Sequence, residues 1–181
     1  QEKLSELKSH HPELITPLVG DVNDSHFINR LEDEGQFNTD ILINNAGLAL
    51  GKDLFENSED RDIENMIQTN ILSAFKITKR SLKHMIKNNV GDIINIASIA
   101  GHEAYSGGVT YCATKHALLS MSRALRQETY GENIRVVSIS PGMVETDFSK
   151  VRFKGDLDKA KKLYQNEAAD QSFSTSIFFP M

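Results

Sequence analysis

The chain has 181 residues, of which 39% are hydrophobic and 25% charged, with a formal net charge of −5. This composition predicts one globular domain over residues 1–181 and gives no reason to expect nucleic acid or an anionic membrane as a partner. The chain has a single cysteine (Cys112), so we expect no disulfide and a cytoplasmic protein. Its six histidines lack zinc-ligand spacing, so we expect no metal site. It has no long apolar run, so we expect no membrane span.

Four short apolar runs alternate with helical patterns along the chain. The runs are rich in Ile, Val and Leu, as expected for strands buried on both faces of a parallel sheet. The runs cover Leu14–Val22, Asp40–Gly47, Gly91–Ser98 and Ile134–Gly142, and the helical patterns between them cover Asp24–Glu34, Glu59–Lys87 and Val109–Tyr130. A further helical pattern opens the chain, and residues 171–181 predict a short final strand. This order predicts a doubly wound α/β domain.

The ends of the four predicted strands are small or polar. They are Asp21, Asn44–Gly47, Ser98 and Pro141–Gly142. Because ligands of open parallel sheets bind beyond the carboxyl ends of the strands, these ends predict one shared cleft. Two of them have a simpler interpretation: Asp21 could be only a helix cap, and Asn44–Gly47 only a strand-to-turn signal.

A tyrosine and a lysine, Tyr111 and Lys115, lie one turn apart in the last of the predicted helices. Residues four apart share a helix face, so an ammonium group would lie near a phenol. Such a charge lowers a phenol pKa from about 10 toward neutrality, and we expect this for Tyr111. A Tyr–Lys pair by itself is usually surface packing. Its occurrence 13 residues after Ser98 favours a catalytic site.

Together these residues resemble the short-chain dehydrogenase/reductase family, over roughly residues 1–166. The resemblance rests on NNAG at Asn44–Gly47, YxxxK at Tyr111–Lys115, Ser98 at the family's spacing, Asn70 in the long helix, and Pro141 and Gly142 followed by Thr146. It implies a Rossmann-like single domain and an oxidoreductase in which a nicotinamide cofactor carries the hydride.

The resemblance also implies a role for each catalytic residue. Tyr111 would be the general acid/base, and Ser98 would orient the reacting oxygen. Lys115 would lower the Tyr111 pKa and hold the nicotinamide ribose. Asn70 would interrupt its helix and seat a water that links Lys115 to solvent; alternatively, it is a satisfied core amide.

The implied cofactor is NADP, with NAD left open. Asp21 would lie near its adenine. The full set of cofactor residues implied by the resemblance is Asp21, Asn44, Ala46, Gly47, Tyr111, Lys115, Pro141, Gly142, Val144 and Thr146.

Two segments, Asn44–Asp53 and Asp147–Asn166, resemble the branch of NADP-dependent 3-hydroxy acid dehydrogenases, also described as serine or allo-threonine dehydrogenases and malonic semialdehyde reductases. Residues 143–167 would then form a substrate lid. In it Arg152 or Lys154 could bind a substrate carboxylate, or the segment could be only a solvated face. The implied activity is hydride transfer between NADP and a small 3-hydroxy acid. A ketoreductase for other small carbonyls and a non-catalytic fragment are the alternatives.

Compared with the family pattern, this sequence lacks the glycine-rich phosphate turn with the first two strands, and part of the region after Asn166. The run Leu14–Val22 would then lack its neighbours in the sheet.

The two long helices carry more apolar residues than one sheet face needs, including Phe75, Leu119 and Met121. We therefore expect a dimer or tetramer.

Overall fold

Three parallel strands form the sheet in the computed structural model, which describes residues 2–142, 147–156 and 158. They are β1 (Ile41–Asn44), β2 (Gly91–Ile96) and β3 (Ile134–Ile139), in the spatial order β1-β2-β3. The register places Asn44 opposite Asn95, and Asn95 opposite Ser138. Three of the four apolar runs therefore form parallel strands, which confirms the predicted Rossmann-like α/β class.

Six α-helices flank and connect these strands in the described residues. They are α1 (Glu2–His10), α2 (Ser25–Asp33), α3 (Asp60–Ile67), α4 (Ser73–Asn88), α5 (Val109–Glu128) and α6 (Asp147–Arg152). The side chain of Asp24 accepts a hydrogen bond from the His26 N–H and so begins α2. None of these helices is long and apolar enough to cross a membrane.

A π-helical turn, Gln68–Leu72, separates α3 from α4. The pattern Glu59–Lys87 therefore forms two helices joined by this turn, with Asn70 at its centre. Such turns add a residue to the helical path and are frequent at functional sites. The interruption implied at Asn70 is present.

The predicted strand Leu14–Val22 is wrong. This segment is irregular, and Leu14 and Val19 are 83% and 51% exposed. A strand needs a neighbour for its N–H and C=O groups, and none of the described strands pairs with this segment. Pro17 removes one donor as well. The predicted final strand at 171–181 lies outside the described residues.

The core consists of two apolar clusters separated by a buried polar network. One cluster contains Ala74, Ala97, Leu118 and Leu119, and the other contains Met85, Ile93, Ile134 and Val136. Between them the Asn44 amide donates to Thr78 and to Asn95, both at 2.8 Å. Asn95 in turn donates to Ser122 at 2.8 Å. These bonds tie β1, β2, α4 and α5 together beneath the strand ends.

Candidate active site

Ser98, Tyr111 and Lys115 meet at the carboxyl end of β2. Ser98 caps a short 3₁₀ turn, where its Oγ accepts from the Ala100 N–H at 3.1 Å. Its hydroxyl proton is therefore free to donate to the Tyr111 phenol, with which it hydrogen-bonds. Tyr111 stands in the first turn of α5. The structure thus brings these three predicted site residues together, and their catalytic roles stay predictions.

Lys115 lies one turn further along α5 and is only 7% exposed. Its Nζ donates to the carbonyl of Ile96, the last residue of β2, at 2.9 Å. Burial penalises the ammonium form and lowers the pKa of Lys115 to about 8. A lysine with this pKa still carries mostly positive charge at neutral pH.

The expected fall in the Tyr111 pKa is wrong for this arrangement. Burial raises the Tyr111 pKa above its ordinary value and outweighs the Ser98 hydrogen bond and the Arg152 charge, which both lower it. Lys115 Nζ is 5.8 Å from the centroid of the Tyr111 ring. The ammonium is held by the Ile96 carbonyl rather than by the phenol, so desolvation of the phenol dominates.

Asn70 connects the π turn to two other parts of the site. It is 2% exposed, and its amide donates to the Leu48 carbonyl at 2.8 Å and to Thr114 Oγ1 at 3.0 Å. Its Oδ1 accepts from the Leu48 N–H at 2.8 Å. Both amide hydrogens are thus engaged, and the side chain holds the loop after β1 against α5.

Gly47 lies directly beside this junction. A Cβ at Gly47 would stand 3.3 Å from Asn70 Oδ1 and 3.6 Å from Lys115 Nζ. The contact with Asn70 Oδ1 is tight, so a side chain at Gly47 would press on this amide, whereas the contact with Lys115 Nζ is an ordinary van der Waals one. Gly47 thus lies next to Asn70 and Lys115, and its contact with a cofactor stays a prediction.

Asn44 is the exception in the NNAG motif. Its side chain is buried, and its amide hydrogens are used by Thr78 and Asn95. The amide therefore stabilises the sheet, and the contact of Asn44 with a cofactor stays a prediction. Ala46, two residues later, is exposed.

Asp21 and the end of β3 each fix a loop by a hydrogen bond. The Asp21 carboxylate accepts from the Asn23 N–H at 2.8 Å and is exposed, so it stabilises the turn before α2. The Pro141 carbonyl accepts from the Ile99 N–H at 3.1 Å, which joins the end of β3 to the Ser98 turn. Gly142 follows it, half-buried. Two predicted cofactor residues, Val144 and Thr146, lie outside the described residues.

A cavity of about 480 Å³ opens beside Tyr111. Its wall includes Tyr111, Arg152, the loop Leu50–Asp53 and the start of α3. Gly107 has a φ of +73°, and a Cβ there would stand 2.3 Å from the Lys52 carbonyl, so only glycine lets these two loops meet. Residues 147–156 and 158 of the predicted lid at 143–167 are described. Residues 147–156 reach the cavity through Arg152, which lies in its wall.

The two cationic residues of the predicted lid, Arg152 and Lys154, differ in burial and in pairing. Arg152 is buried in the cavity wall. Lys154 is exposed and pairs with Glu59 at 3.1 Å and Asp62 at 3.0 Å, which raises its pKa. These two carboxylates already neutralise Lys154, so Arg152 is the stronger of the two candidates for a substrate carboxylate.

Sequence reasoning missed the aromatic residue that holds Arg152 in this wall. The hydroxyl of Tyr105 accepts from Arg152 Nη1 at 3.0 Å, and the Arg152 Cζ is 5.6 Å from the Tyr105 ring centroid. Tyr105 lies in a loop between Ser98 and α5, where periodicity carries no information. The glycine pair Gly107–Gly108 next to it was the available signal of a close approach between loops.

The chain belongs to the short chain dehydrogenase family, whose family pattern matches residues 1–156. It is 43% identical over 169 residues to an NADP-dependent 3-hydroxy acid dehydrogenase of Schizosaccharomyces pombe, covering 92% of this chain and 65% of that protein. It is 47% identical over 133 residues to the NADP-dependent 3-hydroxy acid dehydrogenase YdfG of Escherichia coli K12, covering 73% of this chain and 54% of that protein.

Two solved structures have the same fold. The closed form of serine dehydrogenase complexed with NADP⁺ superposes with a TM-score of 0.83 at 43% identity, covering 92% of this chain and 68% of that one. Serine dehydrogenase from Escherichia coli superposes with a TM-score of 0.76 at 34% identity, covering 91% and 75%. The chain thus spans between half and two thirds of the length of the two curated relatives.

Proposed function

We propose that this protein is an oxidoreductase that transfers a hydride between NADP and a small 3-hydroxy acid. The observation that carries the proposal is the meeting of Ser98, Tyr111 and Lys115 at the carboxyl end of β2, beside a cavity large enough for a small substrate. NADP, when bound, supplies or accepts the hydride. The protein's own residues bind the substrate oxygen and move a proton to or from it.

Tyr111 is the proton donor in the direction of reduction. Its raised pKa keeps the phenol protonated at neutral pH, so a proton is available for a carbonyl oxygen placed at its hydroxyl. Ser98, bonded to the same phenol, is in position to hydrogen-bond that oxygen and fix its orientation. In the direction of oxidation, the phenol must first lose its own proton, and the resulting phenolate of Tyr111 then takes the proton from the substrate hydroxyl.

Lys115 and Gly47 fit the nicotinamide ribose of NADP. Lys115 Nζ has three N–H groups, and in the described part of the chain it makes one hydrogen bond, to Ile96. The remaining donors suit the hydroxyl groups of a ribose. The missing side chain of Gly47 leaves room beside them. Ala46, Pro141 and Gly142 complete the proposed contacts along the strand ends, and Val144 and Thr146 are proposed from the sequence.

The relatives support the choice of NADP and of the acid substrate, because their names state both. The test is to express the whole reading frame that encodes this chain and to follow NADPH absorbance with serine, allo-threonine and 3-hydroxypropionate. We expect turnover of at least one of them with NADP in preference to NAD. Turnover of neutral ketones but none of the acids would favour the ketoreductase alternative. No turnover of any of them would contradict the proposal.

A homo-oligomer and a cytoplasmic location are also proposed. Apolar side chains on α4, including Phe75, are exposed in the single chain, which supports burial against a second copy. A concentration-independent monomer in light scattering would contradict the first of these proposals. The location is supported only by the lone, buried cysteine, Cys112.

A further inference from the structure

The guanidinium group of Arg152 is buried with one of its nitrogens unpartnered. The residue is 6% exposed at the end of α6. Its Nε donates to the Gly51 carbonyl at 2.9 Å, and its Nη1 donates to the Tyr105 hydroxyl at 3.0 Å. Its Nη2 has no hydrogen-bond partner among the described residues. A buried donor without an acceptor is unfavourable, so this nitrogen is suited to a ligand acceptor.

Arg152 also lacks a carboxylate within the described part of the chain. The nearby acids Glu59 and Asp62 are both engaged by Lys154. Asp53, the other acid in the cavity wall, is exposed and forms no ion pair with Arg152. Buried charges in proteins are normally paired, because an isolated one is costly to desolvate. Among the described residues only the rings of Tyr105 and Tyr111 face the charge, and an anion would supply the partner that they do not.

The position of Arg152 ties this anion to the reacting centre. The Arg152 Cζ lies 5.9 Å from the centroid of the Tyr111 ring, and both residues line the same cavity. A small molecule with its oxygen at the Tyr111 hydroxyl can thus carry a second group that reaches Arg152. A carboxylate is the anionic group whose two oxygens match the planar fork of a guanidinium.

We infer that Arg152 binds the carboxylate of the substrate and restricts the enzyme to small hydroxy acids and oxo acids. The inference rests on the proposed function and deepens it, since it names the residue that separates acids from neutral alcohols and ketones. Nη2 is shielded from solvent, so residues 147–156 must shift for the carboxylate to enter. The bound carboxylate would then link the substrate to residues 147–156, and also to Gly51 and Tyr105, which accept hydrogen bonds from Nε and Nη1 of Arg152.

The test compares an acid with its uncharged analogue in the whole protein. The probes are 3-hydroxybutyrate and 3-hydroxybutyramide, with Arg152→Gln as the variant and Lys154→Gln as the matched control. We expect Arg152→Gln to lower kcat/KM for the acid by about 10- to 100-fold, as for the loss of a charge-assisted pair. For the amide the change should stay within about threefold, and Lys154→Gln should resemble the parent for both.

An equal loss for acid and amide in Arg152→Gln would overturn the inference and assign Arg152 a purely structural role. Arg152→Lys serves if Arg152→Gln does not fold, since it keeps the charge but loses the fork. We then expect a smaller loss that is still confined to the acid. Equal losses for both probes in this variant would also overturn the inference.

Binding provides a readout that does not depend on turnover. Saturation-transfer NMR on the parent should detect 3-hydroxybutyrate more strongly than the amide, and Arg152→Gln should remove the difference while Lys154→Gln keeps it. Acid binding that requires Arg152, without any NADP-dependent turnover, would contradict the proposed function and leave the carboxylate site standing. Turnover of the acid, together with equal binding of acid and amide, would support the proposed function and contradict the carboxylate site.

Discussion

Asn70 and Thr114 join the π turn to the catalytic helix, with Asn70 Nδ2 donating to Thr114 Oγ1 across 3.0 Å. Thr114 Oγ1 in turn donates to the Tyr111 carbonyl at 2.7 Å and is 1% exposed. The Asn70 side chain also binds the backbone of Leu48 twice: its Oδ1 accepts from the Leu48 N–H, and its Nδ2 donates to the Leu48 carbonyl. One buried hydroxyl therefore links the loop after β1, the π turn and the turn of α5 that carries Tyr111.

This relationship predicts the effect of removing that hydroxyl. Thr114→Val keeps the shape but leaves an Asn70 N–H unpaired, which should lower the free energy of unfolding by about 1–3 kcal/mol. The displaced start of α5 should lower kcat about tenfold with little change in KM, because the reacting geometry is lost rather than substrate binding. Thr114→Ser, which keeps the hydroxyl, is the control and should stay close to the parent. Equal kcat values for Val and Ser would contradict this role.

The second prediction concerns the proton. Tyr111→Phe keeps the ring, which packs on Phe148 with centroids 5.8 Å apart, and removes only the hydroxyl. Loss of the general acid should reduce kcat by about 10²- to 10⁴-fold. Binding of NADP, measured by calorimetry, should be largely unchanged. Turnover within about tenfold of the parent would show that another group supplies the proton.

The third prediction is a pH dependence of stability that arises from Lys115. Its pKa in the folded protein, about 8, is below the ordinary value of 10.5. Between these values the unfolded chain binds more protons at this site, so its contribution to stability rises with pH. At neutral pH the buried charge costs roughly 3 kcal/mol, since each tenfold change in proton affinity corresponds to about 1.4 kcal/mol.

Lys115→Met should therefore be more stable than the parent at pH 7, although inactive. This gain in the free energy of unfolding should shrink between pH 8 and 10, as Lys115 of the folded parent loses its charge. The raised pKa of Tyr111 lies above this range and so does not affect the comparison. Urea unfolding at several pH values measures the difference. A stability difference that is constant over this range would contradict the depressed pKa.

The fourth prediction concerns the polar network below the site. Asn95 is fully buried, accepts from Asn44 and donates to Ser122. Asn95→Leu should leave the Asn44 amide without one acceptor and cost about 1–3 kcal/mol in the free energy of unfolding. The exposed Asn65 offers a control, since Asn65→Leu should change stability by less than about 0.5 kcal/mol. Thermal unfolding of the two variants side by side decides whether the network is stabilising.

The sequence by itself determined the features that depend on local pattern. Continuous apolar runs predicted three of the strands, because a strand buried on both faces needs them. Spacing within one helix placed Tyr111 and Lys115 on one face, and the strand ends placed Ser98 beside them. Helix α2 and its Asp24 cap also followed from residues close together in the chain.

Only the tertiary structure decided the features that depend on distant partners. Burial by other elements raises the Tyr111 pKa, whereas the spacing to Lys115 alone had suggested the opposite. Arg152 meets Gly51, 101 residues away, and Asn44 turns into the sheet toward Asn95, 51 residues away. The run Leu14–Val22 stays irregular because a strand forms only beside another strand. Desolvation, pairing and hydrogen bonding are set by neighbours in space, and a linear pattern does not contain them.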